Sequence, residues 1–262
     1  MSIKIKTEDE IQKMRVAGKL AADVIEMIQP HVIAGVTTGH LNQIMHDYMV
    51  NEQQTIPATL NYHGFPASSC ISINQVVCHG IPDDKKKLKN GDIVNIDVTV
   101  IKEGYHGDTS RMFEIGTVKP FASRLNKVAH ECLWLGIQQV KPDATLYDVA
   151  LAIQTHAEKN NFTVVKEYCG HGIGADFHEA PQVLHYTQPE LKEIILKPGM
   201  VFTIEPMINL GKSDVKLLAD NWTVVTKDRK LSAQWEHTLT VTQTGFEIFT
   251  LRTDEQPVLP VH

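Results

Sequence analysis

No stretch of this chain strings together the ~18 apolar residues that a membrane-spanning helix needs. The leading residues, Met1-Ser2-Ile3-Lys4-Ile5-Lys6, run into charged positions without the roughly 7–15-residue apolar core of a secretory signal. Cysteine is scarce. Cys70, Cys78, Cys132 and Cys169 are the only four, none in a CxxC pair, and the simplest reading is free thiols in a reducing compartment. Positive charge is not in excess either: 25 Lys+Arg face 31 Asp+Glu, a net charge of −6, which excludes a general attraction to nucleic acid or an anionic membrane. A cytoplasmic protein acting on small solutes or peptides is what remains.

What is present is ordinary globular composition, 262 residues of which 42% are hydrophobic and 21% charged. The expectation is a single compact domain spanning 1–262. Thr7-Glu8-Asp9-Glu10 has the form of a capping box, and Ile11, Met14, Ala17, Ala21, Val24 and Ile28 then recur near helical spacing until Pro30. A second amphipathic helix opens near Thr37 or Thr38 and carries Leu41, Ile44, Met45 and Tyr48 on one stripe. Two more helical patterns follow, around 122–140 and 145–160, separated by Lys141-Pro142-Asp143. The one charge run, Lys85-Lys86-Lys87-Leu88-Lys89, reads as a solvated loop, with a peptide or ribosome contact as the lesser alternative. Pro257-Val258-Leu259-Pro260 reads as a loosely held end.

Leu88-Lys89-Asn90-Gly91-Asp92-Ile93-Val94-Asn95-Ile96-Asp97 matches Leu196-Lys197-Pro198-Gly199-Met200-Val201-Phe202-Thr203-Ile204-Glu205 at a constant shift of 108 positions. The same shift carries Thr37 onto Thr145 and Leu41 onto Val149. The chain therefore reads as two copies of an ααββ-like unit, roughly 7–120 and 121–250, packed about a pseudo-twofold axis. The expected fold is α+β, with continuous sheets and helices covering one side. Each copy ends an apolar strand in a carboxylate.

Asp97 interrupts an apolar strand, where an unpaired carboxylate is costly to bury. With a turn at Lys102-Glu103-Gly104, a hairpin centred between 102 and 103 sets Asp97 opposite Asp108. Two like charges there call for a cation between them; the alternatives are that one faces solvent or that the register slips. Glu205 occupies the repeat position equivalent to Asp97. Glu236 shares a face with Thr238 and Thr240 in the alternating segment Ala233–Val241, where an exposed strand Glu is the competing reading. Among 13 His, three stand out in Gly-punctuated or polar-aromatic loops: His79, His171 in Gly170-His171-Gly172, and His178. Four strand carboxylates and an imidazole suit two adjacent hard or borderline divalent ions.

In order, Asn95-Ile96-Asp97, Gly107-Asp108-Thr109, Gly170-His171-Gly172-Ile173-Gly174, Phe202-Thr203-Ile204-Glu205-Pro206 and Glu236-His237-Thr238 closely resemble the motifs of type I methionine aminopeptidases of the short bacterial form, peptidase family M24. The resemblance runs from about Lys6 to Phe249 and implies the pita-bread fold, whose two halves are pseudo-symmetric. It implies a monomeric hydrolase that removes methionine from nascent polypeptides whose second residue is small. Carried over, Asp97 resembles the chelating ligand of one metal, Asp108 and Glu236 the bridging ligands, and His171 and Glu205 the ligands that complete the other site. The metals are two of Co, Mn, Fe or Zn. His79 and His178 resemble the histidines that contact substrate, and Glu205 the proton shuttle. The methionine pocket maps onto Tyr62, Phe65, Cys70, Phe177 and Trp222, and a Na or K site onto Asn74, Val76 and Ser232.

Thr59 stands where many bacterial members carry a pocket Cys, and Phe65 where a Tyr is common. No N-terminal zinc-binding extension is present, and the 27 positions from His178 to Glu205 leave no room for the helical insert of type II members. Two other readings fit the same residues. One is a proline-directed aminopeptidase or dipeptidase, whose relatives usually carry a further N-terminal domain; the other is a non-catalytic module on this scaffold, which typically loses ligands.

Overall fold

The computed structural model describes residues 2–255, so the expectation for Pro257–Pro260 lies outside the described residues. Helix α1, Glu8–Ile28, starts where expected: Thr7 Oγ1 accepts from the Glu10 N–H at 3.3 Å, and Glu10 Oε2 accepts from the Thr7 N–H at 2.8 Å. Its apolar stripe of Ile11, Met14, Ala17, Ala21, Val24, Ile25 and Ile28 is buried, and each full-sized apolar side chain contributes about 1.5–3 kcal/mol on leaving water. Helix α2, Thr38–Asp47, is capped by the Thr37 hydroxyl and buries Leu41 and Met45. Helices α3, Pro120–Ile137, and α4, Leu146–Lys159, pack on each other, and α4 opens with a second capping box, Thr145 with Asp148. No helix among the described residues is long and apolar enough to cross a membrane.

The shift of 108 holds in the backbone as well as in the letters. Thr37 bridges Lys87 in the first half and Thr145 bridges Ile195 in the second. Gly35 donates to the Leu88 carbonyl as Asp143 donates to that of Leu196, and Leu88 to Val36 as Leu196 to Ala144. Each half also has its own core. Val24, Leu41, Met45, Ile71 and Ile96 belong to one, and Leu133, Val149, Ile153, Phe202 and Leu239 to the other.

Among the described residues the strands fall into four antiparallel ladders. The longest element is the hairpin of Ile93–Lys102 and Tyr105–Glu114, against which α1 packs. Its register differs from the expected one. Lys102 pairs with Tyr105 across a two-residue turn, so Asp97 lies opposite Ser110 and Asp108 opposite Thr99. The cause is the turn itself: Glu103 at φ 50° and Gly104 at φ 80° are both left-handed, the geometry of the tight hairpin turn that follows strand twist. Asp97 and Asp108 are diagonal neighbours, still on one face because the two-residue alternation is kept.

A second ladder contains Gly170–Gly172, Val201–Ile204 and His237–Val241. Glu236 does not sit within one long alternating strand as expected. Ser232–Gln234 pairs with Met207–Asn209, and His237–Val241 pairs with Val201–Ile204. Between them, at the change of partner, Glu236 bridges Ser110 of the hairpin and so joins the two halves.

Candidate metal centre

All five candidate ligands line one cavity of about 270 Å3 on the seam between the halves. Asp108 comes from the hairpin, His171 from Gly170–Gly172, Glu236 from the junction just described, and Glu205 from the end of Val201–Ile204. Donor atoms of Asp108, His171 and Glu236 lie within 4.8 Å of one another, and all three residues are buried. His171 Nε2 stands 3.6 Å from Asp108 Oδ2 and 3.6 Å from Glu205 Oε1. Its Nδ1 meets the Gly172 carbonyl at 3.0 Å. A carbonyl only accepts, so Nδ1 carries the proton and the lone pair of Nε2 faces the carboxylates, the tautomer a metal ligand requires.

A shell of hydrogen bonds fixes these side chains. Thr99 Oγ1 donates to Asp108 Oδ1 at 2.7 Å. Thr203 Oγ1 accepts from the His171 N–H at 3.0 Å and donates to Glu205 Oε1 at 2.9 Å, so one hydroxyl orients two candidate ligands. Gln234 Nε2 donates to Glu205 Oε2 at 3.1 Å, and the buried ring of His185 accepts from the Glu205 N–H at 3.1 Å. The sequence reading passed over Thr99, Thr203, Gln234 and His185. Thr203 and Gln234 each stand two positions before a candidate carboxylate, a same-face spacing that carries a signal; His185 has no such local cue.

The electrostatics call for a cation. Among the described residues, the cavity is lined by no Lys or Arg. Burial, then Asp108 and Glu205, pushes Asp97 far above the carboxylate range; burial, then Asp108, Glu205 and Asp97, does the same to Glu236. Glu205 is pushed up to about 7 by burial, with Asp108 adding to it. His171 moves up because Asp108 and Glu205 outweigh the burial that works against its charge. A floor of four carboxylates and one imidazole, with Asp108, His171 and Glu205 oriented by hydrogen bonds and no Lys or Arg to supply countercharge, fits divalent metal ions bound through oxygen and nitrogen.

The walls hold the remaining candidates. Tyr62, Phe65, Cys70, His79, Phe177, His178 and Trp222 all line the same cavity, as does Thr59 at the expected pocket position, together with Cys78, Glu167, Tyr168, Cys169 and Met207, which carried no such expectation. Phe65 and Trp222 meet edge-to-face at 5.2 Å, and Phe177 stacks between His106 and His178. His178 Nδ1 lies 2.7 Å from the Tyr62 hydroxyl. Burial, then His171, brings His178 down to about 4, and burial lowers His79. His79 also sits at φ 54°, a strained conformation that costs a β-carbon residue about 1–3 kcal/mol. Asn74, Val76 and Ser232 do not line this cavity. The Asn74 carbonyl accepts from the Ser232 N–H at 2.9 Å, and Val76 pairs with Val225.

Residues 12–243 match the model of metallopeptidase family M24. The chain belongs to that family. It is 59% identical over 255 residues to the methionine aminopeptidase of Escherichia coli K12, covering 97% of this chain and 96% of that protein. It is 60% identical over 256 residues to the methionine aminopeptidase of Haemophilus influenzae, covering 97% and 95%. The crystal structure of methionine aminopeptidase from Rickettsia prowazekii superposes with a TM-score of 0.93 at 54% identity, covering 95% of this chain and all of that one. Family M24 is a family of metallopeptidases, and Asp108, His171 and Glu236 at the cavity floor form a group that could hold a metal ion.

Proposed function

We propose that the cavity is the active site of a methionine aminopeptidase, which hydrolyses the N-terminal methionine from nascent polypeptides whose second residue is small. One observation carries the reading: Asp108, His171 and Glu236 converge within 4.8 Å at the floor of a cavity walled by Phe65, Cys70 and Trp222. The apolar, sulfur- and aromatic-lined wall suits an unbranched thioether.

Asp97, Asp108, His171, Glu205 and Glu236 would hold two divalent ions, drawn from Co, Mn, Fe or Zn. When bound, these supply Lewis acidity toward water and a carbonyl. The chain's own groups do the rest. The Tyr62 hydroxyl lies 2.7 Å from His178 Nδ1, and in the tautomer with the ring proton on Nε2 it donates to that nitrogen. Neutral His178, with His79, then donates to the oxyanion that develops on the scissile carbonyl. Glu205, held by Thr203 and Gln234, takes a proton from the attacking water and returns it to the leaving amine.

Asn74, Val76 and Ser232 would hold one Na or K ion. Ser232 Oγ and Asn209 Oδ1, on directly paired residues, are buried acceptors without a protein partner, which supports a cation nearby. The same reading places the protein as a monomer in the cytoplasm, meeting nascent chains at the ribosome.

The test is hydrolysis of Met-Ala-Ser beside Xaa-Pro peptides, with each divalent metal in turn. Release of methionine from the first supports the reading. Cleavage of proline-directed bonds only, or of neither peptide with any metal, overturns it.

A further inference from the structure

Two carboxylates brought within 4.8 Å of each other belong to different halves, Asp108 to the hairpin and Glu236 to the junction before His237–Val241. The Thr238 hydroxyl ties Asp108 to the second of these segments, donating to the Asp108 carbonyl at 2.7 Å and accepting from the Asp108 N–H at 3.3 Å. The Glu236 backbone N–H meets the hairpin at the Ser110 carbonyl, at 3.3 Å, a bond too long to set by itself the spacing of two like charges.

Behind the bridge runs the segment from Thr250 to Glu255. Thr109 and His237 each follow a candidate ligand by one residue, so along a strand their side chains point away from the cavity toward this segment. Arg252, only 2% exposed, donates from Nη1 to Thr109 Oγ1 at 2.8 Å. That hydroxyl donates onward to the main-chain carbonyl of Glu236 at 2.8 Å. Glu255 Oε2 lies 2.5 Å from Arg252 Nη2 and 3.2 Å from His237 Nε2, charge contacts made without hydrogen-bond geometry at these three atoms. The Thr250 hydroxyl accepts from the Thr238 N–H at 3.0 Å. Outward, the same segment is pinned to α1 through Glu26, to the hairpin through Arg111 and to α3 through His130.

A buried arginine is a poor source of net stability, because desolvation takes back most of what its pairing gains. What this one does supply is a rigid, directional link between the residue after Asp108 and the backbone of Glu236. We propose that Arg252, braced by Glu255, is a positioning residue for Asp108 and Glu236, setting from behind the spacing of the two segments that carry them. The proposal rests on the reading of those carboxylates as metal ligands.

The test uses the full chain, stripped of metal and titrated with Co(II) by calorimetry, with circular dichroism and thermal melts alongside. Arg252→Met keeps length and removes the donors; Thr109→Val removes only the relay hydroxyl. Both are expected to retain the wild-type dichroism while binding cobalt about 10- to 100-fold more weakly, the usual cost of losing a group behind a ligand. Arg252→Lys should recover part of that loss. A purely structural role would lower the melting temperature and leave cobalt affinity untouched, and that outcome overturns the proposal. Should Arg252→Met not fold, Thr109→Val decides alone. Wild-type protein that ignores cobalt, or Asp108→Ala that binds it normally, overturns instead the ligand reading beneath.

Discussion

Lys6 and Glu179 form a buried ion pair, Nζ to Oε2 at 2.5 Å, with 3% and 4% of their side chains exposed. It anchors the start of the chain to the loop that presents Phe177 and His178 to the cavity. Glu179→Gln leaves the Lys6 ammonium buried with its charge unmatched, and is expected to cost about 3–5 kcal/mol of stability. The double variant Lys6→Met with Glu179→Gln should regain much of that loss, because no stranded charge remains. Urea denaturation of the two proteins checks both statements, and equal midpoints would contradict them.

Stability without metal should run opposite to the usual acid sensitivity of a protein. Asp97, Glu205 and Glu236 are held above the carboxylate range, Glu205 at about 7, by burial first and by neighbouring negative charge second. The folded state therefore binds protons more tightly than the unfolded chain. That contribution is fully present below the ordinary carboxylate range of about 4 and is lost as pH rises through the raised values. Chelator-treated protein is expected to melt lower at about pH 7 than at about pH 5, and added divalent metal to raise the melting temperature most at the higher pH. A melting temperature that does not vary over this interval would count against the charge cluster.

Asp97→Ala is expected to remain folded and to lose bound metal, since it removes a repelling charge as well as a donor. Metal content measured after dialysis, paired with circular dichroism, reads the two effects separately. Full activity and full metal content in this variant would take Asp97 out of the site.

Gly107→Ala tests how closely α1 must approach the hairpin. A β-carbon there would overlap the backbone of Ala17 and Gly18, which has no flexible side chain to give way. Overpacking of this kind costs about 1–3 kcal/mol. Since Asp108 is the next residue, metal affinity should fall together with the denaturation midpoint. Unchanged values for both would mean that the helix can shift freely.

Much of the fold could be read from residues alone because its signals are local. Thr7 and Thr145 cap helices through boxes that need only a residue three positions on, and the repeat is written in consecutive letters. The hairpin was legible in outline but not in register. Glu103 is an unusual occupant of a left-handed turn position, so nothing in the letters placed the turn one residue later. His171 and Glu236 had local cues, a Gly-flanked loop and an alternating segment, but leaned mainly on the family motifs. Their place in the site depends on pairings far apart in the chain, such as Ser110 with Glu236, for which a single sequence has no periodic signature. The same holds for His185, whose bond to the Glu205 backbone spans 20 positions.

Neither half of the repeat owns the site. The first supplies Asp97 and Asp108; the second supplies His171, Glu205 and Glu236. A chain that has completed only its first half thus carries two of the five candidate ligands, with His79 beside them, and lacks the other three. On the proposed reading, the full ligand set is assembled only when the seam closes.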